Sequence, residues 1–166
     1  MNVQGGDILL YTDHPDWIDR GIQFFERLED GKHKFMPYHT AVALNSTTQI
    51  AAYHKVEIAP LGYDGPDFLV YRPPITPRRR ERALEYVKTF NGEPYDYVAI
   101  VDDALRYSTH NLLHLPVRWV DSVERHAKVC SSLVADYFNE AIFPGDWGPN
   151  TSPLDIYLAV KDYRVF

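Results

Sequence analysis

From Tyr38 to Tyr71 the chain alternates short apolar runs with polar or glycine-rich breaks, and this stretch constrains the fold more than any other. Tyr38 to Leu44 reads as a strand, Asn45 to Thr48 as a polar turn, and Gln49 to Tyr53 as the returning strand. Val56 to Leu61 continues the sheet. Gly62 to Asp67 breaks it, and Phe68 to Tyr71 adds a buried strand closed by Pro73-Pro74. Breaks this short cannot hold the crossover that parallel strands need, so the strands pair antiparallel. One more strand, Ile8 to Tyr11, follows Gly5-Gly6-Asp7.

Helical spacing occurs on either side of these strands. Trp17, Ile18, Gly21, Ile22, Phe24, Phe25 and Leu28 repeat with it over Asp16 to Leu28. Thr76-Pro77 is a helix start, Ala83, Leu84, Val87 and Phe90 form its stripe, and Asn91-Gly92 stops it. Tyr95 to Tyr107 is expected to be helical too. The last clear helix begins near Cys130, with Leu133, Val134, Tyr137, Phe138, Ala141 and Ile142 following at helical offsets. Cys130 therefore falls on the buried stripe, in the first turn. The expected class is α+β, an antiparallel sheet flanked by helices.

Composition narrows what such a chain does. Its 166 residues suit a single domain over 1–166, with enough chain for one core. A formal charge of -6 argues against a nucleic-acid surface. One cysteine excludes an internal disulfide and any thiolate-rich zinc site. No apolar run approaches a membrane span. Met1 to Tyr11 carries no basic leader, so no signal peptide is expected and a cytoplasmic location is the default.

Two residues can carry chemistry. A thiol in the first turn of a helix meets free amides and the positive end of the helix dipole, and both favour the nucleophilic thiolate. The same amides can receive an oxyanion. A lone cysteine on an apolar stripe is nonetheless more often a packing residue. His39 shares a strand face with Ala41 and Ala43, and two alanines leave room for a closely packed helix. On the residues alone, His39 is as well read as a strand histidine bonded to a carbonyl as it is a partner for the thiol.

Five motifs run in order along the chain. They are Gly6-Asp7-Ile8-Leu9-Leu10, Tyr38-His39-Thr40-Ala41-Val42, Val56 to Leu61, Asn91-Gly92-Glu93-Pro94-Tyr95-Asp96-Tyr97, and Val129-Cys130-Ser131-Ser132-Leu133-Val134. Together they resemble the circularly permuted branch of the NlpC/P60 papain-like superfamily, in which the histidine precedes the cysteine. Its branches include YiiX/YycO-type bacterial proteins, a poxvirus group and lecithin:retinol acyltransferase-like enzymes. The resemblance implies a papain-like fold, with a small antiparallel sheet packed on the cysteine-bearing helix. It implies Cys130 as nucleophile and His39 as general base of a cysteine hydrolase of the amidase or peptidase type, with no cofactor. Its substrate would be a peptide, a peptidoglycan-like chain or another acylated molecule. A non-catalytic binding or inhibitory module and a lipid acyltransferase or thioesterase are the alternatives.

The third polar residue of that family departs here, because alanines stand at 51 and 52. His54 is the expected substitute, on the face of Ala52 if the strand continues, with Gln49 and Glu57 as the other candidates. Asp7 is expected to fix a turn, and Tyr95 and Asp96 to lock the start of the following helix. His110 with His114, and His126 with Cys130, have the spacing of a metal pair, but no His-Glu-x-x-His motif is present and no metal site is expected. Arg78 to Arg82 reads as a solvated face, with an anionic ligand as the sharper alternative. Trp147 either lines a cleft or pins its loop.

Overall fold

The structure, a computed structural model, describes residues 2–12, 37–63, 65–94, 129–148 and 151–165. The helices expected over 16–28 and 95–107, together with Tyr95, Asp96, His110, His114 and His126, lie outside the described residues.

Among the described residues five strands form one antiparallel sheet: β1 (Ile8–Tyr11), β2 (His39–Ala43), β3 (Thr48–Ala52), β4 (Val56–Pro60) and β5 (Phe68–Tyr71). Their order is β4-β3-β2-β1-β5, so β5 returns to the far edge and pairs with β1. Among the described residues three α-helices accompany the sheet: α1 (Pro77–Lys88), α2 (Cys130–Ala141) and α3 (Pro153–Val160). The class is α+β, as the pattern of runs and breaks requires. No helix among the described residues is long and apolar enough to cross a membrane.

Local sequence explains the ends of the elements. Thr76 caps α1 in extended conformation with Pro77 behind it, although the Thr76 hydroxyl makes no capping bond. Ser152 does cap α3: its Oγ accepts from Asp155 N–H, and Asp155 Oδ2 accepts from Ser152 N–H in return, at 3.1 and 2.9 Å. Beyond α1, Gly92 takes φ +96°, and its N–H donates to Val56 O at 2.7 Å while Val56 N–H donates to Glu93 O at 2.7 Å. These bonds cover the exposed edge of β4. The other edge is covered where Val165 N–H donates to Val70 O at 2.8 Å and Arg72 N–H to Tyr163 O at 2.9 Å. Covered edges deny a second chain a strand to pair with.

Strand alternation sorts the side chains into two cores. On one face Ile8, Leu10, Val42, Ile50, Ala52 and Val56 join Leu133, Val134, Tyr137 and Phe138 of α2, Ala83 and Val87 of α1, and Ile156 of α3. On the other face Leu9, Tyr11, Ala41, Ala43, Ala51 and Val70 join Val3 and Tyr38. This corrects one expectation. The alanine face of β2 is not the face that receives α2. The bulky α2 stripe packs on Val42 and Ile50 instead. A period of two separates the faces but does not say which one a helix covers.

Asp7 fixes the turn before β1, as expected, and does more. Its carboxylate accepts from Gln4 N–H at 2.9 Å and from Arg72 Nε and Nη2, both at 2.8 Å. Asp7 is fully buried, whereas the Arg72 side chain is 29 % exposed. The fork ties the start of β1 to the end of β5. Next to it Gly6 adopts φ +86°, and a Cβ there would lie 2.5 Å from the Tyr137 hydroxyl. That hydroxyl donates to Gly6 O at 3.3 Å.

Arg72→Leu strands the buried Asp7 carboxylate and is expected to cost about 3 kcal/mol, read by urea unfolding. Tyr137→Phe loses one buried hydrogen bond, about 1 kcal/mol at neutral pH. Burial holds the Tyr137 phenol well above its ordinary range. Its contribution is therefore complete below the unfolded tyrosine pKa of about 10 and is lost as pH rises beyond it. The phenylalanine variant should resist alkaline unfolding to a higher pH, followed by circular dichroism.

Candidate active site

Cys130 is the first residue of α2 and is buried. The residue before it, Val129, is the N-cap, in extended conformation and with no side-chain capping bond. Valine has no oxygen to offer the first-turn amides, whereas Ser, Thr, Asp or Asn would occupy one of them. Ser132 Oγ instead reaches back to accept from Val129 N–H and to donate to Val129 O, both at 3.0 Å. The first turn of a twelve-residue helix thus begins at a buried thiol, without a side-chain cap. That arrangement leaves the first-turn amides open to an oxygen that carries negative charge.

His39 opens β2, the strand against which α2 packs, and is 6 % exposed. Its side chain lies on the face of Ala41 and Ala43, among aromatic rings. Tyr11 is its direct partner on β1, with ring centroids 5.6 Å apart. Tyr53 stacks on it at 5.1 Å with 24° between the planes, and Tyr38 stands at 6.5 Å. The β2–β3 register explains Tyr53. Val42 faces Ile50 and Ala43 faces Gln49, and carrying that register back along β2 brings Tyr53 opposite His39.

Gln49 joins the rings. It is fully buried on β3, and its Oε1 accepts from the Tyr11 hydroxyl at 2.5 Å. Its Nε2 donates to the Tyr53 hydroxyl at 2.7 Å. Tyr11 on β1 and Gln49 on β3 flank β2, so their bond crosses the strand between them. Ala41 and Ala43 have the small side chains such a crossing needs. Their role is to admit this polar bridge, not a helix.

His54 lies exposed in the bend after β3, where Tyr53 N–H donates to Lys55 O at 3.0 Å. Its expected place on the Ala52 face depended on β3 running two residues further, and β3 ends at Ala52. Glu57, on β4, sits 3.9 Å from Lys55. Gln49 is the one of the three candidates that the structure puts on the buried face of His39. The rings of Tyr11 and Tyr53 were missed from sequence. The signal was there in the strand period, since 49, 51 and 53 share one face, but the search for an acid or imidazole followed the face of 52 and 54.

The weaker signals resolve into structure. Arg82 pairs with Glu140 at 2.5 Å and donates to its carbonyl at 2.8 Å, clamping α1 to α2. Arg80 Nη2 donates to Ile75 O at 3.1 Å, and Arg78 and Arg79 are exposed. Trp147 pins its loop: Nε1 donates to Phe143 O at 2.9 Å, and its ring lies 4.7 Å from that of Phe138. A cavity of about 420 Å³ between the start of α1 and the end of α2 is lined by Ile75, Arg79, Ile142, Phe143 and Tyr163, and includes neither Cys130 nor His39. Among the described residues no three His, Cys, Asp or Glu side chains gather to hold a metal ion.

Compared with protein-family models and with curated proteins, the chain matches none.

Trp147→Ala is expected to cost about 3 kcal/mol by urea unfolding, the low end for so large a truncation because the ring is only half-buried. Alkylation of Cys130 in the folded variant should keep its wild-type rate, since the ring packs on the far end of α2.

Proposed function

We propose that the protein is a cysteine hydrolase of the amidase or peptidase type with a permuted papain-like fold. The observation that carries this is Cys130, buried at the uncapped start of α2. His39 opens the strand under that helix but faces the other core, beside Tyr11 and Tyr53, so its role as base rests on the resemblance alone. The order of the two residues and the five motifs around them support the same reading.

In this mechanism His39 takes the thiol proton and leaves the electron pair on sulfur. The thiolate attacks the acyl carbon, and the oxyanion is received at the first-turn amides of α2. The bond from acyl carbon to amine breaks, and the amine leaves with the proton from His39. Water then attacks the thioester, gives its proton to His39 and releases the acid, and sulfur regains its proton. Cell-wall peptides are the substrate class the resemblance favours.

One observation favours a second reading, a binding module that keeps the fold. The family's third polar position falls on buried Ala51 or Ala52, and His54 is exposed. Cys130→Ala would leave the biological effect of such a module intact.

The deciding measurement is alkylation of Cys130 by iodoacetamide, followed by mass spectrometry. The folded protein should react faster at neutral pH than the urea-unfolded chain. His39→Ala should slow the folded protein about 100-fold, the low end for loss of a positioned base. A folded Cys130 that is inert, or indifferent to His39, removes the hydrolase reading. Turnover of ester or thioester lipids without peptide turnover would move the activity to the acyltransferase alternative.

A further inference from the structure

The cavity of about 420 Å³ lies at the end of α2 away from Cys130. At about 1.5 Å of rise per residue, Ala141 stands roughly 16 Å along the helix axis from the thiol. The volume is that of a small-ligand site. Ile75, Ile142, Phe143 and Tyr163 make its walls largely apolar, Arg79 is the charged side chain that lines it, and no described acid does. Three departures from local rules meet on these walls. Ile142 takes φ +54° as the left-handed residue of the turn that closes α2, where Phe143 N–H donates to Phe138 O at 2.9 Å. Glycine or asparagine is the usual occupant there, and a β-branched side chain is strained. The same isoleucine is 57 % exposed. Arg79 sits in the first turn of α1, where the helix dipole is positive and no acid is present. It makes no ion pair or hydrogen bond among the described residues. Strain, an exposed apolar side chain and an unpaired cation all cost stability, and such departures concentrate where a ligand is held.

We propose that this cavity binds a small apolar monocarboxylate, with its chain against Ile75, Ile142 and Phe143 and its carboxylate on the Arg79 guanidinium. One arginine matches one carboxylate, which it can meet with two parallel N–H donors. A doubly charged phosphate would leave charge unmatched among apolar walls. The bound carboxylate neutralises Arg79 and places negative charge at the positive end of α1. The bound chain covers Ile142. Each of the three departures is thereby compensated by one ligand. The site is separate from Cys130 and does not rest on the hydrolase reading.

The test titrates decanoate, below its micelle concentration, into the full chain and follows backbone amide shifts by NMR. Saturable shifts are expected at the start of α1, the end of α2 and Tyr163. Decanol has the same chain without the charge and should bind about tenfold more weakly. Arg79→Gln, at an exposed position, should weaken decanoate about tenfold, the low end for a lost charge-assisted hydrogen bond, and leave decanol unchanged. Ile142→Gly relieves the left-handed backbone and should raise the urea midpoint, yet weaken decanoate about fivefold through lost apolar contact. The absence of saturable shifts overturns the proposal. So does decanol binding as tightly as decanoate, or decanoate binding that neither variant changes. Shifts at the start of α2 that vanish in Cys130→Ala place the ligand at the thiol and overturn it too. Sedimentation with phosphatidylglycerol vesicles in place of decanoate binding would make this face a lipid surface, which also overturns it. Cys130 alkylation has no part in these readouts, so failure of the hydrolase reading and failure of this proposal are seen separately.

Discussion

Helix α2 lies on the sheet through Leu133, Val134, Tyr137 and Phe138, seated on Val42 and Ile50, and the rest of the molecule is arranged around that contact. It places Cys130 at the buried start of the helix and sets Tyr137 over Gly6, where only a glycine leaves room. It brings α1 alongside, where Arg82 clamps onto Glu140. It also gives one face of β2 to α2 and leaves the other, with His39, to a different core. Dense packing makes this a choice between discrete arrangements, because a stripe of Leu, Tyr and Phe cannot be seated equally well on alanines.

The second core is where the polar chemistry of the sheet sits. An antiparallel sheet usually keeps one face toward water. Here the second face is buried too, and it carries a histidine, a glutamine and tyrosine hydroxyls. Buried polar groups are costly unless their hydrogen bonds are met, so the Gln49 bridge is a condition for burying Tyr11 at all. The alanines of β2 make that bridge geometrically possible. Small residues at 41 and 43 and a polar residue at 49 are one device.

Much of the fold was legible in the chain. The run of short strands and turns from Tyr38 to Tyr71 led to the antiparallel sheet, and the Thr-Pro and Asn-Gly signals bracketed α1. The Cys130 stripe marked α2 to its first residue, because local patterning and capping govern where elements begin and end. Asp7 was rightly read as a turn residue, but its bidentate fork to Arg72 was not foreseen. The two are far apart in the chain, and only the return of β5 to β1 brings them together. The strand period puts Tyr53 on the face of Gln49, but its place opposite His39 depends on the β2–β3 register. His54 was sought on a strand that stops two residues short of it.

By itself, then, the sequence determined the α+β class, the run of short antiparallel strands and the start of α2 at Cys130. Those follow from spacing, and spacing is local. Which face of β2 the helix covers, which rings surround His39, and how Gln49 joins them were decided by the tertiary structure alone. Strand alternation divides side chains into two sets with equal claim to the core. Only the volumes that meet when β1, β2, β3 and α2 are packed together assign one set to the helix and the other to the tyrosines.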